Sequence, residues 1–230
     1  MLIEADAAQE AIDRLQAAPR GTIRLTCPVA LLHVDVSRML DAFMTRYPNV
    51  SIILEATNRR LDVPGERVDI AIRVRPPPIK DSGVVMRVLA ERGQCLVASP
   101  GLVAAHRRPE APSDLSGWPT IGLGSTALPQ RWVLFDPEGQ QATVEHHPRF
   151  VTTDMIALRN AAVAGVGVLQ LPVLMVREQL DSGALIRVLP DWKPRNEIIH
   201  AVFSSRRGLL PSVRLLIEHL AASFQALDEE

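Results

Sequence analysis

Cysteine and lysine are both scarce in this chain of 230 residues. The two cysteines, Cys27 and Cys95, are too few and too far apart for a disulfide framework or a local metal site, which favours a reducing cytoplasm. Only Lys80 and Lys193 are lysines among the 25 cationic residues, and the net charge is −1. Because no positive excess is available to hold a phosphate backbone, we expect this segment not to bind DNA strongly by itself.

Long apolar runs are also missing, since no stretch approaches the roughly 18 residues that a membrane-spanning helix needs. The first twenty residues alternate acids with alanines and lack the apolar core of a signal peptide, so we expect neither export nor membrane insertion. Heptad spacing relates Ala5, Ala8, Ile12 and Leu15. We interpret residues 1–20 as the end of a linker or dimerisation helix, with an ordinary amphipathic helix as the alternative.

No pattern typical of an enzyme is present. None of the six histidines lies four residues from another histidine or from a cysteine, so no local metal site is predicted. The glycines at 165 and 167 lack the third glycine of a dinucleotide fingerprint, and residues 122–126 do not form a nucleophile elbow. We therefore expect no catalytic activity and no cofactor.

Strand-like and helix-like segments alternate from Gly21 onward. In the first part, strands are predicted at 22–27, 51–55, 68–74, 84–89 and 94–98, with a helix after Pro28 that Pro48 ends. That helix carries an apolar stripe of Val36, Met39, Leu40, Phe43 and Tyr47.

The alternation restarts in the second part. Strands are predicted at 120–122, 149–152, 166–171 and 198–203, with a hairpin of 131–135 and 141–145, a helix from Thr153 to about Ala164 and a last helix from Pro211. This pattern predicts an α/β fold of two lobes, each a mostly parallel sheet flanked by helices.

Small and hydroxyl-bearing residues follow several of these strands, at the sheet edge where open α/β folds bind ligands. In the first lobe they are Cys27, Pro28, Val29, Ala30, Thr57, Asn58 and Arg73, and in the second lobe Gly122, Ser125, Thr153 and Asp154. We predict that they bind a small polar or anionic molecule between the lobes, with the helix start at Thr153 attracting the anion. Simple N-capping by Thr153 and a surface ion pair of Arg73 are the alternatives. Ser99, which precedes Pro100, is predicted to cap a helix.

Six segments resemble, in order and spacing, the effector-binding region of LysR-type transcriptional regulators. They are GTIRLTCPVA, FMTRYPNVSIILEAT, RVDIAIRV, CLVASPGLVAAH, TTDMIALRNAAVAGVGVLQLP and AVFSSRRGLLPSVRLLIEHL. The Thr-Cys-Pro-Val, Ala-Ile-Arg and Ala-Ser-Pro patterns, with Leu-Pro-Asp-Trp, are similar to the CrgA-like branch.

The resemblance implies a type II periplasmic-binding-protein fold with crossovers near 90–95 and 196–202. Lobe I would comprise residues 21–93 and 200–230, and lobe II residues 94–199. It places the effector loops at Cys27 to Ala30, at Thr57 and Asn58, and at Thr153 and Asp154. Branch members often have asparagine in place of Thr153, and Pro64-Gly65 interrupts a connection that is usually helical.

The resemblance also implies partners: a small-molecule effector, further copies of the chain in dimers and tetramers, and promoter DNA. DNA would be contacted through an N-terminal winged helix-turn-helix that this chain does not contain, so Met1 is expected to mark a truncated start. RNA polymerase is a further candidate partner. A solute-binding receptor is the alternative function, although it would need an export signal. Cys27 as a redox sensor is a second alternative.

Overall fold

The computed structural model describes residues 19–59, 68–78, 85–126, 128–203 and 210–227. The predicted linker helix, except for its last two residues, and the Pro64-Gly65 interruption lie outside these ranges. In the part of the chain that is described, no helix is long and apolar enough to cross a membrane.

The first part of the chain alternates strands with one long helical segment. Its strands are β1 (Gly21–Cys27), β2 (Val50–Ala56), β3 (Ile70–Arg75), β4 (Val85–Arg92) and β5 (Gln94–Ala98). The helical segment consists of α1 (Val29–Leu31), a π-helical turn (Leu32–Val36) and α2 (Ser37–Arg46). The predicted apolar stripe faces inward, because Val36, Met39, Leu40 and Phe43 are all buried. The helix was therefore predicted correctly, and the π-helical turn within it was not.

The second part begins with α3 (Pro100–Ala105), whose N-cap is Ser99 as predicted. It continues through β6 (Ile121–Leu123), β7 (Gln130–Phe135), β8 (Gln141–His146), β9 (Phe150–Thr152), α4 (Met155–Val163), β10 (Leu169–Pro172), α5 (Val173–Asp181), β11 (Ile186–Val188) and β12 (Lys193–Pro194). The chain then returns through β13 (Glu197–Phe203) and ends with α6 (Pro211–Gln225).

Lobe I is built on a five-stranded sheet in the order β2-β1-β3-β13-β4. Strand β1 is parallel to β2 and β3, with Ile23 opposite Ile52. Strand β13 returns from the other lobe and is antiparallel to both β3 and β4. The sheet is thus mostly parallel, with one reversed strand where the chain crosses back. Helices α2 and α6 cover it, and Phe43, Leu220 and Phe224 belong to the same buried cluster as the strands.

Lobe II is built from shorter sheets. Strand β5 enters from lobe I and is antiparallel to its neighbours β10 and β11, whereas β6 and β9 are parallel. The predicted hairpin is confirmed, because β7 pairs with β8 from Gln130 opposite His146 to Phe135 opposite Gln141. Two buried clusters fill this lobe, one around Leu158 and Leu171 and the other around Trp132 and Leu134.

Three features of lobe II differ from the sequence-based prediction. The strand expected at 166–171 begins only at Leu169, and Pro172 ends it and begins α5, which was not predicted. Periodicity alone does not separate a short buried strand from a helix in a continuous apolar run such as residues 166–176. Strands β11 and β12 were also missed because they have only three and two residues.

Candidate functional site

A cavity of about 420 Å³ lies between the lobes. On the lobe I side it is bounded by the carboxyl ends of the parallel strands β1, β2 and β3, as expected for an open α/β sheet. On the lobe II side it is bounded by the ends of β6, β9 and β10, and crossover residues Arg92, Glu197 and Ile199 complete the lining. We call this space the effector cleft.

Six of the predicted site residues line the effector cleft: Pro28, Ala30, Thr57, Asn58, Arg73 and Thr153. The other five are not among its described lining residues: Cys27, Val29, Gly122, Ser125 and Asp154. The ends of the parallel strands thus bring the main loops together. Their sequence pattern does not show which side chains within a loop point inward.

Cys27 is separated from the cleft by its burial. Its side chain is 1% exposed and belongs to the lobe I core. Burial raises the pKa of its thiol to about 12, because the thiolate would lose its solvation. The placement of Cys27 among the lining residues therefore needs correction.

In the lobe II loop, the lining residues are the two that lie between the predicted Gly122 and Ser125. Leu123 and Gly124 line the cleft, whereas Ser125 is exposed. Gly122 is buried against Gln130, whose side chain occupies the space that a Cβ atom at Gly122 would need. Gly122 therefore contacts Gln130 and is not among the described residues that line the cleft.

Asn58 connects the two lobes. Its Nδ2 group donates a hydrogen bond of 3.0 Å to the carbonyl oxygen of Thr153. Its Oδ1 atom accepts a hydrogen bond of 3.2 Å from the backbone N–H of Val29. One exposed side chain therefore joins the end of β2, the start of α1 and the loop after β9.

The start of α4 differs from the prediction in its N-cap. Asp154 is the cap, and its Oδ1 atom accepts hydrogen bonds from the N–H groups of Ile156 and Ala157 at 2.8 and 3.0 Å. Thr153 is therefore not the capping residue. Because the carboxylate of Asp154 already occupies the positive end of this helix, an anionic ligand would be repelled there.

The start of α1, unlike that of α4, has no capping side chain at its N-cap residue. Its N-cap is Pro28, which supplies no side-chain hydrogen bond, and Ala30 and Leu31 line the cleft. N–H groups in the first turn of a helix have no partner within the helix. Because Asn58 already accepts from Val29 N–H, the donors at the start of this helical segment that remain for the cavity are those of Ala30 and Leu31, together with the positive dipole end.

Arginine dominates the charge around the cleft. Its described lining residues include Arg59, Arg73, Arg75 and Arg92 and one carboxylate, Glu197. Burial raises the pKa of Glu197, while a hydrogen bond with Gln94 acts in the opposite direction. Cations therefore outnumber carboxylates among the described lining residues.

Apolar side chains occupy the lobe II wall. Leu174 and Met175 at the start of α5, together with Met155 and Pro172, line the cleft. None was predicted, and Leu174 and Met175 were missed because α5 itself was not recognised. Arg75, which lies two residues beyond Arg73 on β3, could have been found from the alternation of a strand.

In the described part of the chain, no group of three or more His, Cys, Asp or Glu side chains could hold a metal ion.

Two α/β lobes, joined by crossover strands around a cavity at the strand ends, define a ligand-binding domain of the type II periplasmic-binding-protein kind. The sequence matches the LysR substrate binding domain over residues 16–225, and the chain belongs to this family. The predictions of fold class and of family are therefore confirmed.

Individual relatives agree with this assignment. The regulator PtxR of Pseudomonas aeruginosa is 31% identical over 220 residues, which is 96% of this chain and 70% of that protein. The full-length structure of AphB, a virulence activator of Vibrio cholerae, superposes with a TM-score of 0.77 at 26% identity, covering 96% of this chain and 75% of that one. CrgA of Neisseria meningitidis, at 22% identity, shares the fold with a TM-score of 0.78, covering 97% and 75%.

Proposed function

We propose that this domain senses a small organic anion with an apolar body, bound in the effector cleft. The observation that carries the proposal is the division of the cleft into two walls. Arginines and the start of α1 lie on the lobe I side, and Leu174 and Met175 lie on the lobe II side. An amphipathic anion would contact both walls at once and would therefore favour the closed arrangement of the lobes.

The orientation of the ligand differs from the one expected from sequence. Asp154 occupies the start of α4, so the anionic group would lie nearer Pro28, Ala30 and Arg73. The apolar body would extend towards α5. Thr153 would contact the ligand as part of the rim that Asn58 joins to lobe I.

Within a longer regulator, cleft closure would alter the arrangement of subunits. We propose lobe I as residues 21–93 and 200–230 and lobe II as residues 94–199, a division that the separate buried clusters support. We further propose that the regulator works in the cytoplasm as a dimer or tetramer and contacts promoter DNA through a separate winged helix-turn-helix. It would act on transcription, with RNA polymerase as a candidate partner, and would catalyse no reaction.

The test is a binding screen with a built-in charge control. Small aromatic and aliphatic carboxylates and their uncharged amides are compared by thermal shift and then by calorimetry, since a ligand of the folded state raises the melting temperature. We expect carboxylates to bind and the matching amides to bind at least ten times more weakly, because a charge-assisted hydrogen bond contributes about 1.5–3 kcal/mol.

Two variants locate the binding site. Arg75→Met removes a cleft charge and should weaken a carboxylate hit about tenfold or more. Arg24→Met removes an exposed charge of β1 and should leave affinity unchanged. Equal binding of acid and amide, or equal losses in the two variants, would contradict the anion assignment. Unchanged affinity in Thr153→Ala would exclude the Thr153 rim from the site.

A further inference from the structure

A second cavity, also of about 420 Å³, lies between the lobes next to the effector cleft. Its walls come from the helical segment of lobe I at 33–38, from α4, from α5 and from Leu227 after α6. Arg92, Leu174 and Met175 line both cavities and therefore form the partition between them. We call this second space the arginine cavity.

Four arginines from four different elements line it: Arg38, Arg92, Arg159 and Arg177. The described lining residues include two carboxylates, Asp35 and Glu178. The Asp35 carboxylate is buried, lies 3.6 Å from the guanidinium of Arg38 and also interacts electrostatically with Arg92 and Arg177. Arg38, Arg92 and Arg159 thus outnumber the carboxylates among the described lining residues even when Arg177 is left out.

Backbone carbonyls fix three of the guanidinium groups. Arg38 donates to Val34 O at 3.0 Å, and Arg159 donates to Met175 O at 3.2 Å. Arg92 donates through Nη2 to Phe224 O at 2.8 Å. Each guanidinium has five N–H donors, so these anchors orient the group and leave further donors for an oxyanion.

Two buried polar atoms on residues lining the arginine cavity have no hydrogen-bond partner among the described residues. They are Nε of Arg159, which can only donate, and Oε1 of Gln179, which can only accept. Buried polar atoms are ordinarily paired, because leaving one unpaired is costly. An anionic oxygen would satisfy the Arg159 donor and a hydroxyl group would satisfy the Gln179 acceptor, once these side chains turn the two covered atoms towards the cavity.

We propose that the arginine cavity is a second ligand site, which takes a small hydroxylated oxyanion such as a phosphate ester or a hydroxy-carboxylate. Its walls belong to both lobes, so a bound anion holds them together from the far side of the Leu174–Met175 partition. Because the partition is shared, occupancy of either cavity changes the affinity of the other, and the effect is reciprocal. The proposal stands whether or not the effector cleft binds its own ligand.

Binding is tested by calorimetry at fixed ionic strength and pH. The probes are glycerol 3-phosphate and citrate, with inorganic phosphate as the anion without a hydroxyl-bearing body and sodium chloride as the salt control. We expect saturable binding of at least one hydroxylated probe, at least tenfold tighter than inorganic phosphate. Saturation by glycerol 3-phosphate alone would identify a phosphate ester as the class, and by citrate alone a hydroxy-carboxylate. No saturable binding of either at millimolar concentration would overturn the proposal.

Variants distinguish binding in this cavity from non-specific charge attraction and from binding in the effector cleft. Arg159→Met and Arg38→Met should each weaken binding of the probe at least tenfold. The Arg38 side chain is 76% exposed, so its replacement should not disturb the fold. Arg149→Met removes an exposed charge elsewhere in lobe II, and Thr153→Ala alters only the effector cleft. Both should leave the direct affinity for the probe within about twofold. Equal weakening by Arg149→Met, or none by Arg159→Met and Arg38→Met, would overturn the proposal.

Discussion

The side-chain amide of Asn58 donates a 3.0 Å hydrogen bond to the carbonyl oxygen of Thr153, a residue 95 positions away in the opposite lobe. The same side chain accepts from Val29 N–H within lobe I. The cleft is thus spanned by a polar contact at its rim, where a ligand would enter. Opening the lobes breaks the contact to Thr153 and leaves the contact to Val29 intact.

Asn58→Asp separates these two contacts. The carboxylate keeps an acceptor for Val29 N–H and loses the donor to Thr153, whereas Asn58→Ala loses both. We expect both variants to have a larger radius of gyration in small-angle X-ray scattering without ligand. Asn58→Asp should lose at most about 1.5 kcal/mol of unfolding free energy, the usual net value of one hydrogen bond, and Asn58→Ala at most about twice that.

Asn49→Ala is the matched control, since this exposed asparagine lies at the opposite end of β2. It should scatter like the unaltered protein. If Asn58→Asp also scatters like the unaltered protein while binding tests detect no change, the bond to Thr153 does not hold the lobes.

The N-cap of α4 gives a prediction about stability. Asp154→Ala should lower the unfolding free energy by about 1 kcal/mol, because the N–H groups of Ile156 and Ala157 lose their acceptor. Thr153→Ala should have a much smaller effect. Urea unfolding followed by circular dichroism measures both values. A larger loss of unfolding free energy in Thr153→Ala than in Asp154→Ala would show that Thr153 is the capping residue.

The sequence predicted a helix start here but not which of two adjacent residues caps it. Thr153 and Asp154 are both good N-cap residues, and only the backbone direction decides which one caps. The order of strands and helices could be predicted because apolar periodicity and proline positions are local signals. The reversed strand β13 depends on which strands become neighbours after the chain crosses back, and no local pattern records that pairing.

The candidate site likewise contains some residues that local sequence patterns could predict and others that they could not. Pro28, Thr57 and Asn58 could be placed because parallel strands bring their carboxyl ends to one edge. The contributions of Arg92 and Glu197 come from crossover segments, and that of Met175 from a helix hidden in an apolar run. Contacts between distant segments of the chain therefore set the charge and the apolar wall of the cleft.

His146 gives a pH-dependent prediction. It is buried, stacks on Trp132 with ring centroids 4.0 Å apart and has Nδ1 2.9 Å from Thr120 Oγ1. Burial, and secondarily the nearby His147, lowers its pKa from 6.5 to about 4. The folded protein therefore keeps this ring neutral at a pH where the unfolded chain already binds the proton.

The sign of the effect follows from that difference. The contribution of His146 to stability is complete above pH 6.5 and is lost as the pH falls from about 6.5 towards about 4. His146→Gln should therefore show a shallower decline of melting temperature across this range. His33→Gln, at an exposed histidine of lobe I, should follow the unaltered protein. Parallel curves for all three proteins would rule out His146 as a source of acid sensitivity.

The two thiols give a chemical test of the redox alternative. Cys27 and Cys95 are 1% and 6% exposed, and burial raises their pKa values to about 12 and about 11. Only the thiolate reacts with disulfide reagents, and buried neutral thiols are inert. We expect the folded protein to show almost no labelling by 5,5′-dithiobis(2-nitrobenzoic acid) at pH 8, and both cysteines to react in denaturant. Rapid labelling of the folded protein that disappears in Cys27→Ala would show that this thiol is accessible, and a redox role for Cys27 would then have to be reconsidered.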